Sequence, residues 1–401
     1  MNVSAPQSSA SRQLLPDALR GFALAGIVVV NAPFLAVSND GLYGDLSSPL
    51  DQIAAFLVVM LAQGKFYLLF AFLFGYSAHL MMPAARDRSE DFRRQRTRFL
   101  RRLLGLFVLG AIHAVFIFIG DILMGYAVIG LALVLLISRS SRAILIAAIC
   151  VCSAGLIILS ALMAFASSSA PATGGFVGDA SALDAALRGG FLEGAAGRLQ
   201  ALPDALAFQA IVNLPLALGM FLLGLVAARA GILATPERFP RLWRRLKIAA
   251  VTLGVPGGIV AGWLVVFGDG SELTATASIA IGFGTAPALA AGYLAVAASA
   301  SSRVLSLAAP AGRMSLTGYL GESVVFAAIF CGWGLGLFGE VPVWAAVLIG
   351  LAVWVMIDVL SRWWLHVFRY GPLEWLLRMW SRGQPVELMR SPGSARRGNG
   401  R

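Results

Sequence analysis

The chain has 401 residues, of which 59% are hydrophobic and 13% charged, and its formal net charge is +11. A soluble domain is usually about half apolar, so this composition excludes an ordinary soluble fold. Apolar runs long enough to cross a ~30 Å hydrocarbon layer recur along the chain with no long soluble block between them, which makes a single all-α polytopic membrane domain the expectation.

The first residues, MNVSAPQSSAS, are polar and small, and residues 1–16 are expected to form a tail. Arg12, Asp17 and Arg20 lead into the first apolar stretch, Gly21 to Val37. This resembles the start of a signal peptide, but no A-x-A site follows and further spanning segments do, so a retained first helix is expected. Ten spanning helices are predicted between residues 17 and 362, at about 21–37, 53–82, 103–119, 121–138, 143–165, 206–228, 248–267, 273–298, 314–331 and 342–362. Alternating the loops puts every Lys and Arg except Arg188, Arg198 and Lys65 on the side that holds both termini. Acidic residues lean the other way: Asp40, Asp45, Asp51, Asp179, Asp184, Glu193, Asp204, Asp269, Glu272 and Glu340. The positive-inside rule then places both termini in the cytoplasm, and the net positive charge needs no nucleic-acid partner. The basic run RRQRTRFLRR, residues 93–102, serves as a topology determinant that also favours anionic headgroups.

The second apolar segment is too long. From Pro49 to Met82 a single helix would extend ~50 Å, well beyond a bilayer core. It either breaks at Gln63, Gly64 and Lys65, against protein or a wet cavity, or tilts and lets Lys65 reach for headgroups. An outer loop is expected at 166–205, with a short helix around 181–200. Gly258 and Gly262 form a G-x-x-x-G packing face. Gly334, Gly336 and Gly339 spell G-x-G-x-x-G between two spanning helices, without the strand a dinucleotide fold requires, so they mark a turn or close packing. Asp358 and Arg362, four residues apart, pair locally. Residues 363–381 read as an interfacial helix on the cytoplasmic face, with Pro372 in its first turn and Trp and Tyr at headgroup level. Residues 382–401 read as a disordered basic tail. Cys150, Cys152 and Cys331 read as small buried hydrophobes, and no metal-ligand spacing is present.

Ionisable groups inside a membrane cost ~2.5 to 3.5 kcal/mol or more and mark functional sites. His113, Asp121, Glu322 and Lys65 make up this short set. An imidazole can act as a general base at neutral pH, and His113 is either that or the donor of one interhelical hydrogen bond. Asp121 either orients His113 or caps the following helix. The two are about 12 Å apart along an unbroken helix, so contact requires a turn near Gly120. Thr317, Tyr319 and Glu322 form a polar cluster that either meets a substrate or joins helices.

The stretches DALRGFALAGIVVVNA (17–32), KFYLLFAFLFGYS (65–77), RRLLGLFVLGAIHAVFIFIGDILMGYAVIG (101–130), GRMSLTGYLGES (312–323) and FRYGPLEWLLR (368–378) resemble the YeiB-like family of bacterial membrane proteins. That family is grouped with transmembrane acyltransferases. The resemblance implies a multi-pass protein of the bacterial plasma (inner) membrane that passes an acyl group from cytosolic acyl-CoA, a co-substrate rather than a bound cofactor, to an outward-facing glycan or lipid. It highlights Asp17, Arg20, Asn31, Lys65, Phe66, Arg102, His113, Asp121, Thr317, Tyr319 and Glu374. Under it, Arg20 and Arg102 hold the CoA pyrophosphate, His113 is the base, Asp121 holds its ring, and Asn31 or Tyr319 faces the oxyanion. No metal is implied, and a homodimer is left open. Two departures stand out: Pro16 where the family more often has Leu, and Gly318 and Glu322 where it runs L-T-N-Y-L-x-Q-S. A proton-linked transporter or lipid flippase using Glu322, Lys65 and His113 is the rival expectation.

Overall fold

The computed structural model describes residues 11–37, 43, 46–83, 90–168 and 180–390. Asp40, Asp45, Asp179, most of the polar N-terminal tail and the end of the basic tail lie outside the described residues. Helices α1 (Ser11–Ala36), α2 (Pro49–Leu61), α3 (Phe66–Met81), α4 (Glu90–Phe116) and α5 (Leu123–Leu136) form the first half of the bundle. They are followed by α6 (Ser141–Ser168), α7 (Ala180–Arg188), α8 (Phe191–Phe208) and α9 (Leu214–Ala230). The remainder are α10 (Pro240–Ala249), α11 (Val255–Phe267), α12 (Glu272–Ala297), α13 (Ser302–Arg313), α14 (Ser315–Phe330), α15 (Val343–Val367) and α16 (Pro372–Arg382).

The protein is an all-α polytopic membrane protein. Among the described residues, eight helical spans are long and apolar enough to cross a bilayer, and α5 and α14 are shorter apolar helices. Each predicted segment coincides with one of these. Their outer faces carry the apolar side chains a lipid solvent requires, such as Leu135, Ile157, Val251 and Trp263.

Of the two outcomes open to the second segment, the break at its polar residues is the one observed. After Leu61 the chain turns through residues 62–65, and Gly64 adopts φ 81°, a left-handed conformation open to glycine. Lys65 does not reach for headgroups. It is 0% exposed, and its Nζ donates to Val59 O at 2.7 Å, satisfying a carbonyl at the end of α2. Tyr293 Oη donates to a second such carbonyl, Leu61 O, at 2.6 Å.

Small residues set the closest crossings. A Cβ on Gly75 of α3 would lie 1.9 Å from Phe221 O of α9, and one on Gly224 of α9 would lie 1.9 Å from Phe72 O, so the two backbones touch where these glycines cross. Gly258 and Gly262 of α11 pack against Met60 and Phe56 of α2, as their spacing predicts. Two helices are loosened by a π-helical turn, at Gln209–Asn213 and Ala250–Gly254. Each precedes a proline, Pro215 or Pro256, whose ring and missing N–H disrupt the regular ladder.

Three predicted regions differ. The outer loop is largely helical: α7 and α8 pack on one another, and α8 runs through its π turn into α9. Its composition hides this, because the helix-favouring Ala is interleaved with Gly, Ser and Pro, which oppose a helix. Helix α13, absent from the predicted set, packs along α1. It is amphipathic and too short to register as a span. The start of the basic tail is ordered rather than disordered. Arg369 N donates to Leu388 O and Arg390 N to Val367 O, and Trp375 Nε1 donates to Val386 O at 2.7 Å, so residues 386–390 fold back along the end of α15.

Candidate functional site

His113 lies in the last turn of α4 and Asp121 in the short connection to α5. The helix ends at Phe116, and the chain reverses through residues 117–122. His113 Nδ1 and Asp121 Oδ2 are thereby 2.8 Å apart, both side chains at most 2% exposed. The turn near Gly120 that the spacing demanded is present. Asp121 also caps α5, since Oδ1 accepts from Met124 N at 2.9 Å. Asp121 thus makes both contacts at once, one to the imidazole and one to the N-terminus of α5. A third anchor comes from the π turn, where Gln209 Nε2 donates to Asp121 O. With Asp121 ionised, Nδ1 carries the ring hydrogen, and Nε2 is left as an acceptor. His113 Nε2 is buried and has no hydrogen-bond partner among the described residues.

A cavity of about 200 Å³ lies alongside. It extends from the α2–α3 break at Gln63 and Gly64, past Asn31, Tyr67 and Tyr319, to Leu183, Leu187 and Arg198 of α7 and α8. That exceeds the ~150 Å³ that admits benzene in an apolar core and falls below the ~300 Å³ of drug-sized sites. Tyr67 and Asn213 line it, and Tyr67 Oη and Asn213 Oδ1 are buried without a partner among the described residues. His113 does not line it. The imidazole stands behind Phe118 and Tyr319, whose ring centroids are 6.2 and 5.3 Å from its own and which both face the cavity.

Tyr319 links the polar groups. Its hydroxyl accepts from Ile122 N at 3.2 Å, next to Asp121. One turn away, Glu322 is 0% exposed; its Oε1 accepts from Asn31 Nδ2 at 2.8 Å, and Oε2 has no partner among the described residues. Asn31, Tyr319 and Glu322 thus meet beside His113 and Asp121, from α1, α14 and the α4–α5 turn. Lys65 belongs to a separate small cavity with Ser278 and Phe283.

The other predicted residues gather at the opposite, basic end. Asp17 and Arg20 form an ion pair at 2.5 Å, and Arg20 Nη2 donates to Ser77 Oγ at 2.6 Å. Arg102 is electrostatically coupled to Arg20, Glu374 and Arg378, and its Nε is buried without a partner among the described residues. Thr317 sits here, away from the cavity. Its hydroxyl donates to Glu374 Oε2 at 2.5 Å and accepts from Leu373 N, while Leu316 N and Thr317 N donate to Glu374 Oε1. Glu374 of α16 therefore caps α14 from outside, and Thr317 fastens the two helices together. Burial holds the Glu374 carboxyl above its ordinary range despite those donors, and burial lowers the neighbouring Arg378.

Between the two ends, Phe22, Phe66 and Tyr293 form an aromatic cluster with centroids 5.1 to 5.7 Å apart, Phe66 reaching the cavity and Phe22 lying two residues beyond Arg20. The sequence reading passed over Phe118, Tyr67, Gln209, Asn213 and Arg198. Arg198 had a visible signal as one of two arginines on the acidic side. Gln209 and Asn213 were polar interruptions ahead of Pro215. No group of three or more metal-ligating side chains occurs among the described residues.

The fold and site together define a polytopic membrane protein with a buried His–Asp pair beside an intramembrane cavity. The chain is 30% identical over 393 residues to the uncharacterized protein YxaH of Bacillus subtilis, covering 90% of this chain and 92% of that one. It is 29% identical over 386 residues to the uncharacterized protein YeiB of Escherichia coli, covering 92% and 95%. A family described as "Protein of unknown function (DUF418)" matches residues 227–384. The protein belongs to this YeiB-like family. No solved structure matches it.

Proposed function

We propose that this protein is an acyltransferase of the bacterial plasma (inner) membrane. It crosses the membrane ten times with both termini in the cytoplasm and moves an acyl group from cytosolic acyl-CoA to an outward-facing glycan or lipid. The observation that carries this reading is the 2.8 Å contact between His113 Nδ1 and Asp121 Oδ2, which leaves Nε2 as an unengaged base behind two cavity-lining rings. Displacement of Phe118, which sits in the non-helical turn, would bring Nε2 to the cavity.

In this mechanism the acceptor hydroxyl or amine gives its proton to His113 Nε2 as its heteroatom attacks the thioester carbonyl carbon. Asp121 fixes the tautomer and stabilises the imidazolium. The tetrahedral oxygen is stabilised by Tyr319, whose hydroxyl hydrogen is uncommitted among the described residues, and by Asn31. Collapse expels CoA sulfur, which recovers the proton from His113. At the basic end, Arg20 and Arg102 match the pyrophosphate of the donor, because guanidinium forks pair with phosphate oxygens. The aromatic cluster of Phe22, Phe66 and Tyr293 lies between the two ends and must part for the acyl group to pass.

The test is CoA release and product labelling by purified protein in proteoliposomes with labelled acyl-CoA and envelope extract as acceptor. His113→Ala should abolish both; unchanged turnover would sink the role. A second reading, a proton-linked transporter or flippase, draws on the broken α2–α3 segment with its buried Lys65 and on Glu322. It predicts solute movement in the same vesicles without thioester consumption.

A further inference from the structure

Among the described residues, Arg198 is the one charged side chain that lines the cavity, and it is 2% exposed. Its contacts are with neutral groups: Nη1 donates to Phe116 O at 3.3 Å and Nη2 to Cys331 Sγ at 3.2 Å. No carboxylate pairs with it among the described residues. Phe116 O belongs to the C-terminus of α4 and contributes partial negative charge, equivalent to about half an elementary charge for the helix end as a whole. A buried guanidinium that keeps a full charge needs more than this, since an unpaired charge out of water is costly. Arginine cannot relieve the cost by releasing its proton at physiological pH.

The same cavity has a mainly apolar lining, including Leu183 and Leu187 from α7, Phe208 from α8, Phe34 from α1 and Val37 just beyond the end of α1. One fixed cation on a mainly apolar chamber matches a ligand with one oxyanion and a hydrocarbon chain. We propose that Arg198 and this chamber form a binding site for an anionic amphiphile, with a carboxylate or phosphate head on the guanidinium and the chain in the cavity. The proposal names the acceptor class for the same cavity. It rests on the acyl-transfer reading for its biological meaning, though its measurement does not.

The test uses the full chain in nanodiscs of neutral phosphatidylcholine and compares octanoate, octyl phosphate and octanol by titration calorimetry. Charge-assisted hydrogen bonds predict that at least one of the two anions binds saturably and roughly 10- to 100-fold more tightly than octanol. Preference for octanoate assigns a fatty-acid-like ligand, and preference for octyl phosphate a lipid phosphate. Arg198→Gln should bring anion and alcohol to equal affinity, Arg198→Lys should retain part of the preference, and Cys331→Ser should retain all of it. Wild-type protein with no anion preference overturns the proposal, and that arm needs no variant to fold. Retained preference in Arg198→Gln, or its loss in Cys331→Ser, overturns it as well. Anion binding without thioester turnover keeps the site and removes the transferase reading; turnover without anion preference does the reverse.

Discussion

Replacing Asp121 with Asn separates the chemistry of the His–Asp pair from its architecture. In the native protein Oδ1 accepts from Met124 N while Oδ2 faces His113 Nδ1. Asparagine can keep its oxygen on Met124 N, and Asn caps a helix about as well as Asp. Its amide NH₂ then faces His113 Nδ1, which must become an acceptor, and the ring hydrogen moves to Nε2. The base is lost although the fold is kept. Exchanging a charge-assisted hydrogen bond for a neutral one should cost about 1 to 2 kcal/mol of stability. The wrong tautomer should lower turnover by about 10⁴-fold. The chain has 3 histidines, so ¹⁵N labelling of histidine resolves them individually. His113 should show Nδ1–H in the native protein and Nε2–H in Asp121→Asn. Identical tautomers in the two proteins, or acyl transfer within about threefold of native, would refute the reasoning.

Gly75→Val should drive a side chain into Phe221 O, where even a Cβ lies at 1.9 Å; overpacking predicts a loss of about 1 to 3 kcal/mol or more, seen as an earlier melting transition by fluorescence-detected size exclusion. Gly64→Ala should cost about 1 to 2 kcal/mol through its φ of 81° alone, because a Cβ there has ordinary contacts no closer than 3.5 Å. Gly64→Asn should melt nearer to native, and equal melting of Gly64→Ala and native protein would contradict the strain. At the basic end, burial raises the Glu374 carboxyl, so the folded state binds a proton more tightly than the unfolded chain. The contribution of this group to docking α16 is therefore complete below the ordinary glutamate value near ~4.3 and declines as pH rises through the raised folded value. Rate-corrected hydrogen exchange over residues 372–382 should show that decline in the native protein and lose it in Glu374→Gln; protection that rises with pH would contradict it.

The sequence by itself determined the membrane character and the apolar segments, and it narrowed the overlong second segment to a break at Gln63–Lys65 or a long tilt, because a bilayer imposes length, composition and backbone satisfaction segment by segment. It also exposed His113, Asp121 and Glu322, since a polar group in an apolar run is visible without any fold. Local composition failed at α7, α8 and α13, where helix-favouring Ala and Leu are mixed with or flanked by Gly, Ser and Pro, and at residues 386–390, whose order comes from distant partners in α15 and α16. The tertiary structure alone decided how the polar residues are sorted. It sent Thr317 to Glu374 at the basic end and Tyr319, two residues on, to the His–Asp pair. It seated Lys65 on the Val59 carbonyl of its own broken helix. It also put Phe118 and Tyr319 between His113 and the cavity and left Arg198 in the wall without a countercharge among the described residues. These outcomes depend on which helices meet and at what depth, and contacts between residues tens to hundreds of positions apart carry no local signature.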